Sequence, residues 1–302
     1  MKSVSPSKSI LITGAKGFTG RHLRRHLEAL GYDVYGTCFS TTNDAHLIQC
    51  DLLDEDEVNA VVQRLLPSYV IHLAAISFVG ENNSELFYKV NILGTENLLK
   101  ALAALKHKPQ KVVIASSAAV YGNQNASVLD ENMRSVPVNH YGISKLGTEL
   151  LARTFFEQLD IIITRPFNYT GPGQPAHFLI PKIVQHFVEK KPVIELGNLH
   201  IYREFNDIRM VVDVYERLLK SGISSDIVNV CSGNLTSLLE VIEFMKRLTG
   251  HKIEVAVNPL FVRANEIERL SGSTQRLHSL VGDIRAYSID ETLKNMLENY
   301  ND

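Results

Sequence analysis

Ile10-Leu-Ile-Thr13, followed at once by Gly14-Ala-Lys16-Gly17-Phe18-Thr-Gly20, reads as a short apolar strand running into a glycine-rich turn. Leucines at 23, 27 and 30 then recur at helical spacing up to Gly31, so the unit is strand, turn, helix. The rhythm continues outward. Residues 33–37, 69–74, 111–115 and 161–164 predict strands, the last stopping at Pro166, while 55–66, 84–106 and 140–158 predict helices. Strands alternating with helices through short links imply right-handed crossovers and an α/β fold, a parallel sheet wound on both faces. After Pro166 the rhythm breaks into Gly171-Pro-Gly-Gln-Pro175 and similar loops, with helices expected near 177–190 and 236–249. That change predicts a smaller C-terminal lobe assembled from interleaved segments.

Composition narrows the function classes. With 302 residues, 45% of them hydrophobic, the chain can bury a full core, which excludes disordered and fibrous classes. Its 31 basic and 33 acidic residues leave a formal charge of −2, with no electrostatic footprint for nucleic acid or an anionic membrane. Cys38, Cys50 and Cys231 are scattered and odd in number, which predicts neither a disulfide framework nor a metal site. The polar first residues and the lack of a long apolar run predict a cytoplasmic protein.

Gly14, Gly17 and Gly20 lie between the first strand and the first helix. Glycine lets backbone approach a pyrophosphate, and a helix N-terminus offers unpaired N–H groups to the anion. A dinucleotide is the expected ligand. The stretch Gly36-Thr-Cys-Phe-Ser40 carries no carboxylate for an adenine ribose diol. Lys16 either meets a 2′-phosphate there, which favours NADPH over NADH, or is a solvated surface lysine. Asp51 either contacts the adenine or caps the next helix.

Tyr141-Gly-Ile-Ser-Lys145 places a phenol and an ammonium on one helical face. A nearby cation favours phenolate, so the lysine is expected to lower the tyrosine pKa and make it a usable acid/base. Ser116-Ser-Ala-Ala-Val-Tyr-Gly122 precedes this segment, Ser117 standing four residues before its Tyr-Gly pair.

With these motifs the chain resembles the extended short-chain dehydrogenase/reductase (NAD-dependent epimerase/dehydratase) family, a likeness that includes His72-Leu-Ala-Ala75 and Asn91-Ile-Leu-Gly-Thr95. The resemblance implies a Rossmann domain over 1–166, joined by later segments, and a sugar-nucleotide-binding lobe mainly over 167–302. It implies Ser117, Tyr141 and Lys145 as the catalytic set, in hydride transfer between nicotinamide and a sugar carbon. The implied cofactor contacts are Gly14, Lys16, Gly17, Phe18, Gly20, Asp51, Leu52, Leu73, Ala74, Ala75, Tyr141 and Lys145. Asn91 is either a structural link or part of the chemistry, and Ser116 is expected only to pack at the strand end. Sugar-nucleotide 4,6-dehydratases of this family carry a carboxylate where this chain has Ala119, and Ala118 is apolar too, so dehydration is not expected.

The C-terminal third, with Arg165-Pro-Phe-Asn168-Tyr-Thr-Gly-Pro-Gly-Gln174, Arg203-Glu-Phe-Asn-Asp-Ile-Arg209 and Arg263-Ala-Asn-Glu266, resembles bacterial GDP-4-keto-6-deoxy-mannose reductases. That implies reduction of a C4 ketone in a GDP-4-keto-6-deoxy sugar, the mannose series giving GDP-D-rhamnose, with heptose or talose variants open. Asn168 and Ser117 would contact the sugar, Arg203 and Arg263 the diphosphate, Glu266 the ribose, and Lys182 a phosphate. Arg203 could instead pair with Glu204 or Asp207. A 4-epimerase retaining NAD is the alternative enzyme, and a non-catalytic nucleotide sensor the alternative of another class. A homodimer is expected from the resemblance, and no metal.

Overall fold

The computed structural model describes residues 9–77, 83–261 and 268–300. β1 (Ser9–Thr13) is buried at all five positions, and alternation sends Ile10 and Ile12 into one hydrophobic cluster and Leu11 into another. A strand covered on both faces needs an unbroken apolar run. The chain continues through α1 (Phe18–Ala29), β2 (Asp33–Cys38), β3 (Leu47–Gln49), α2 (Glu55–Leu65), β4 (Tyr69–His72), α3 (Ser84–Tyr88), α4 (Gly94–Ala104), β5 (Lys111–Ala115), β6 (Val128–Leu129), α5 (His140–Arg153) and β7 (Ile161–Pro166). Its second half comprises β8 (Tyr169–Thr170), α6 (Leu179–Val188), β9 (Val193–Leu196), β10 (Tyr202–Glu204), β11 (Asn206–Asp207), α7 (Ile208–Lys220), β12 (Asp226–Val230), β13 (Leu235–Ser237), α8 (Leu238–Thr249), β14 (Glu254–Val257), β15 (Arg269–Gly272), α9 (Gln275–Val281) and α10 (Ile289–Glu298).

Seven parallel strands form one sheet in the order β12-β7-β5-β4-β1-β2-β3. This is the doubly wound Rossmann order, whose direction switches between β1 and β4, where a ligand crevice opens at the strands' C-terminal ends. Leu23 and Leu27 of α1 pack with Val211, Val214 and Leu218 of α7 on one face. Val58 and Val62 of α2 and Leu98 and Leu102 of α4 cover the other. Each such buried side chain contributes about 1.5–3 kcal/mol. β12 and α7 thus return to the large sheet after the chain has left it, and α7 fills a stretch where the sequence reading placed no helix.

The expected helix over 84–106 is interrupted. Lys89–Leu93 form a π-helical turn between α3 and α4, turning Asn91 inward until it is 1% exposed. Such turns bring a side chain to a position that regular helix would miss. β4 ends at His72 rather than at 74, because the N–H groups of Leu73 and Ala74 turn to the Thr13 carbonyl (3.3 Å) and hydroxyl (3.2 Å). α5 stops at Arg153, after which Phe155 and Phe156 donate three residues back in tighter turns.

The smaller lobe packs Ile183 and Phe187 of α6, Val241 and Met245 of α8 and Leu293 of α10 against Ile194 and Leu196 of β9. A four-stranded sheet, β13-β10-β15-β6, lies beside it. At its centre the Glu204 carboxylate is 1% exposed and accepts backbone N–H groups from Gly272 (2.6 Å), Ser232 (2.8 Å) and Gly233 (3.2 Å), drawing three chain segments together. Among the described residues no helix is long and apolar enough to cross a membrane.

Candidate active site

The glycine turn presents a helix end without competitors for an anion. Gly17 caps α1 without a side chain, and no acidic residue stands in the first turn. Gly20 allows the close approach behind this, since a Cβ there would lie 2.4 Å from the Gly14 carbonyl oxygen. Lys16 reaches the end of β2, donating to Ser40 Oγ (3.1 Å) and the Thr41 carbonyl (2.8 Å), beside Phe39, which is 77% exposed. At that edge Phe39, Ser40 and Thr41 themselves carry no carboxylate. The Phe18 ring stacks on Tyr169, and Thr19 Oγ1 meets the Tyr169 hydroxyl at 2.8 Å. Asp51 accepts the Leu53 N–H (2.9 Å), whereas Asp54 caps α2. The Leu52 side chain lies in the core and its carbonyl is taken by Asn97 (2.9 Å). Leu73, Ala74 and Ala75 are half-buried just past the end of β4. The turn, the free helix end and this edge fit a nicotinamide dinucleotide.

A buried polar relay supports the floor. Thr95 commits its hydroxyl proton to the Asn91 carbonyl (2.7 Å), so its oxygen accepts Nε2–H of His72 (2.8 Å), and His72 Nδ1 accepts the Thr13 hydroxyl (2.7 Å). Burial, with a smaller contribution from the charge of Lys145, lowers the His72 pKa to about 3 and keeps it neutral. The Asn91 amide accepts the Ile76 N–H (2.8 Å) and donates to the Ile76 carbonyl (3.1 Å) and to Ser144 Oγ (2.9 Å), linking the segment after β4 to α5.

Ser117 stands where β5 gives way to a 3₁₀ turn over Ala118–Tyr121, and its Oγ accepts the Ala119 N–H at 3.1 Å. Asn139 caps α5 by accepting the Gly142 N–H (2.8 Å), which sets the helical phase of Tyr141 and Lys145. Gly142 lets α5 press onto the turn, because a Cβ there would lie 2.7 Å from the Ala119 carbonyl oxygen. Tyr141 and Ser117 are thereby brought together, with the Tyr141 ring packed edge-on to Phe87 (6.3 Å between centroids). Lys145 is buried and donates to the Ala115 carbonyl at 2.7 Å.

The electrostatics correct one expectation. Burial pushes the Tyr141 phenol up to about 12, outweighing the hydrogen bond with Ser117, rather than the lysine drawing it down. Lys145 is itself pulled down to about 8 by burial, against the opposing charge of Glu149. At neutral pH the pair is therefore a protonated phenol beside a mostly cationic amine.

The other implied contacts are spread over the lobe. Asn168 is exposed, and its carbonyl accepts the Asn206 N–H (2.8 Å). Lys182 donates to the Glu195 carbonyl (2.9 Å) and lies over the Phe261 ring. Arg203 is half-buried and donates to the Tyr202 carbonyl (2.8 Å). The carboxylates named as its alternative partners are engaged elsewhere, Glu204 by backbone amides and Asp207 by Arg209 (2.7 Å). Arg263 and Glu266 lie outside the described residues. No three His, Cys, Asp or Glu side chains among the described residues form a metal-ligand group.

Sequence reading missed a pair behind the lysine. Ser116 does more than pack: its Oγ donates to Glu149 at 2.6 Å, and Glu149 is ion-paired with Arg165. The only signal was spacing, Glu149 following Lys145 by four residues as Lys145 follows Tyr141.

The profile of the GDP-mannose 4,6 dehydratase family matches residues 11–296. The chain is 35% identical to GDP-6-deoxy-D-talose 4-dehydrogenase of Aggregatibacter actinomycetemcomitans, over 96% of this chain and 97% of that protein. It is 31% identical to GDP-6-deoxy-D-mannose reductase of Pseudomonas aeruginosa, over 97% of each. Among solved structures, a chain from Burkholderia cenocepacia is similar at a TM-score of 0.91 and 41% identity, covering 97% of this chain and 98% of that one. RMD from Pseudomonas aeruginosa complexed with NADPH is similar at 0.85 and 30%, covering 97% of each.

Proposed function

The chain belongs to the GDP-mannose 4,6 dehydratase family, and from that premise we propose that it reduces the C4 ketone of a GDP-4-keto-6-deoxy sugar with NADPH. The observation that carries this reading is Ser117, Tyr141 and Lys145 gathered at the end of β5, with only alanines at 118 and 119 in the turn between Ser117 and Tyr121. Alanine can neither abstract a proton nor expel a hydroxyl, so the site is equipped for redox chemistry at C4 and not for dehydration.

When bound, the reduced nicotinamide supplies a hydride to the carbonyl carbon. Ser117 Oγ donates a hydrogen bond to the ketone oxygen as negative charge develops on it. Tyr141, protonated at neutral pH, gives its phenolic proton to that oxygen, completing the alcohol. Lys145 stabilises the phenolate left behind until solvent restores its proton. Lys16 and the carboxylate-free edge at Phe39 to Thr41 favour a 2′-phosphate, and RMD with NADPH is a relative in keeping with this. The sugar nucleotide would lie toward the smaller lobe, with Asn168 at the sugar, Arg203, Arg263 and Lys182 at phosphates and Glu266 at the ribose.

Likeness to a talose 4-dehydrogenase supports a second product, the C4-epimeric alcohol, reached on the same residues by presenting the other face of the ketone. A homodimer would cover Leu93, Ile143 and Leu150, exposed on the π-helical turn and α5. A cytoplasmic setting is in keeping with three buried, unpaired thiols. The test is incubation with dehydratase-generated GDP-4-keto-6-deoxy-mannose and NADPH, with the product identified by NMR. Stoichiometric NADPH consumption with a rhamno- or talo-configured alcohol is expected. Interconversion of sugars without net NADPH oxidation would mean a 4-epimerase and overturn the proposal.

A further inference from the structure

Tyr141, Lys145 and Glu149 succeed one another every four residues along the inner side of α5. Only the first two have a part in the chemistry above. Glu149 is 1% exposed and Arg165 3%, and they form a fork: Nε to Oε1 at 2.9 Å and Nη2 to Oε2 at 2.7 Å. Ser116 Oγ, next to Ser117, donates to the same Oε1. Arg165 also donates to Ser135 Oγ (3.2 Å) and faces the Tyr121 ring at 4.8 Å, while its Nη1 is buried without a partner among the described residues.

Such a pair is an expensive way to fill space. Two charges lose their hydration, an N–H group goes unanswered, and apolar side chains of equal volume often serve stability as well or better. What apolar side chains cannot supply is a fixed negative charge one helical turn from a buried ammonium. Nor can they grip a hydroxyl beside Ser117.

Resting on the reading of Ser117, Tyr141 and Lys145 as the acid–base set, we propose that Glu149, held by Arg165, is a positioning residue. It keeps Lys145 cationic at working pH and fixes Ser117 through Ser116. The groups around Lys145 leave this task to Glu149. His72 on β4 is neutral, Tyr141 on α5 and Tyr215 on α7 are protonated phenols, Tyr121 bears on Arg165, and Arg165 is matched by Glu149 itself. Burial pulls Lys145 down, and Glu149 is the group that opposes it.

The test is the pH profile of kcat for NADPH-dependent ketone reduction in Glu149→Gln, Glu149→Asp and the double variant Glu149→Met/Arg165→Met, which leaves no unpaired buried charge. Activity requires Lys145 charged, so it is full below the lysine pKa and lost as pH rises through it. Removing the carboxylate lowers that pKa, and the alkaline limb should move to lower pH by about 1 unit or more. Glu149→Asp should return most of the shift, with the sugar-nucleotide KM changed less than kcat at alkaline pH. In cofactor-free, lysine-labelled protein the Lys145 Nζ resonance should titrate lower by the same amount. A purely structural pair would reduce the amount of folded enzyme and leave the limb where it is. A folded double variant with the wild-type limb overturns the proposal, as does failure of both Glu149→Gln and the double variant to fold. Tyr141→Phe run in parallel separates the two claims: if it keeps the wild-type rate, the acid–base set itself is misassigned.

Discussion

Tyr141→Phe removes one oxygen atom from the candidate site and little else. The ring keeps its edge-on packing against Phe87, and the Asn139 cap that sets the phase of α5 is untouched. The folded state loses the hydrogen bond with Ser117, about 0.5–1.5 kcal/mol, part of which is returned because a buried phenol no longer has to be desolvated. For a chain of this size that moves Tm by about 2–3 °C at most. On the proposed mechanism catalysis loses its proton donor, and general acid catalysis is typically worth about 10²–10⁴-fold, or about 2.7–5.4 kcal/mol on the barrier. We therefore expect turnover to fall by at least about 100-fold, with NADPH affinity and Tm near wild type. Single-turnover reduction with deuterated cofactor isolates the chemical step, and fluorescence titration reports cofactor binding. If the variant keeps more than about half of the wild-type rate while its isotope effect shows chemistry to be rate-limiting, Tyr141 is not the acid.

Lys16→Ala should weaken NADPH binding about tenfold or more while leaving NADH nearly unchanged, since a charge-assisted phosphate contact contributes about 1.5–3 kcal/mol; parallel titrations with the two cofactors decide it, and equal losses would mean that Lys16 only braces Ser40 and Thr41. Gly20→Ala puts a Cβ 2.4 Å from the Gly14 carbonyl oxygen, so the turn must shift. Cofactor affinity should drop about tenfold or more with the sugar-nucleotide affinity preserved; an unchanged cofactor Kd would count against a dinucleotide at this turn. Arg263→Ala should raise the KM for the GDP-sugar about tenfold while changing kcat far less, because a remote diphosphate contact is made equally in ground and transition states. Steady-state kinetics at saturating NADPH measure it, and an unaltered KM would remove Arg263 from the nucleotide site.

The parts of this fold that show in the sequence are those that local periodicity specifies. Ile10-Leu-Ile announces a strand covered twice, and Tyr141 and Lys145 share a helical face wherever α5 is packed. β3 is three residues long and gives too little pattern to recognise. α7 has the pattern, with Val211, Val214, Tyr215 and Leu218 all buried, but it follows a run of loops that breaks the strand–helix rhythm. The π-helical turn at Asn91 depends on tertiary demand for its amide at Ile76 and Ser144, which no propensity encodes. The Tyr141 pKa shows the same limit: spacing gives the lysine's proximity, whereas burial, which outweighs it, belongs to the whole fold. Glu149 and Arg165 are 16 residues apart and meet only because α5 and β7 pack in one register.

The late return of β12 to β7 has a consequence for how the chain is made. A ribosome that has finished β7 must still synthesise roughly 60 residues before its partner exists, about 3–12 s at ordinary elongation rates. Throughout that interval Ile162, Ile163 and Thr164 present an open hydrogen-bonding edge, the kind of surface on which nascent chains associate wrongly. A fragment stopped at Pro166 would hold that edge open permanently, whereas one carried through Val230 brings its own cover. The nascent protein thus passes through a window of vulnerability written into the order of its strands.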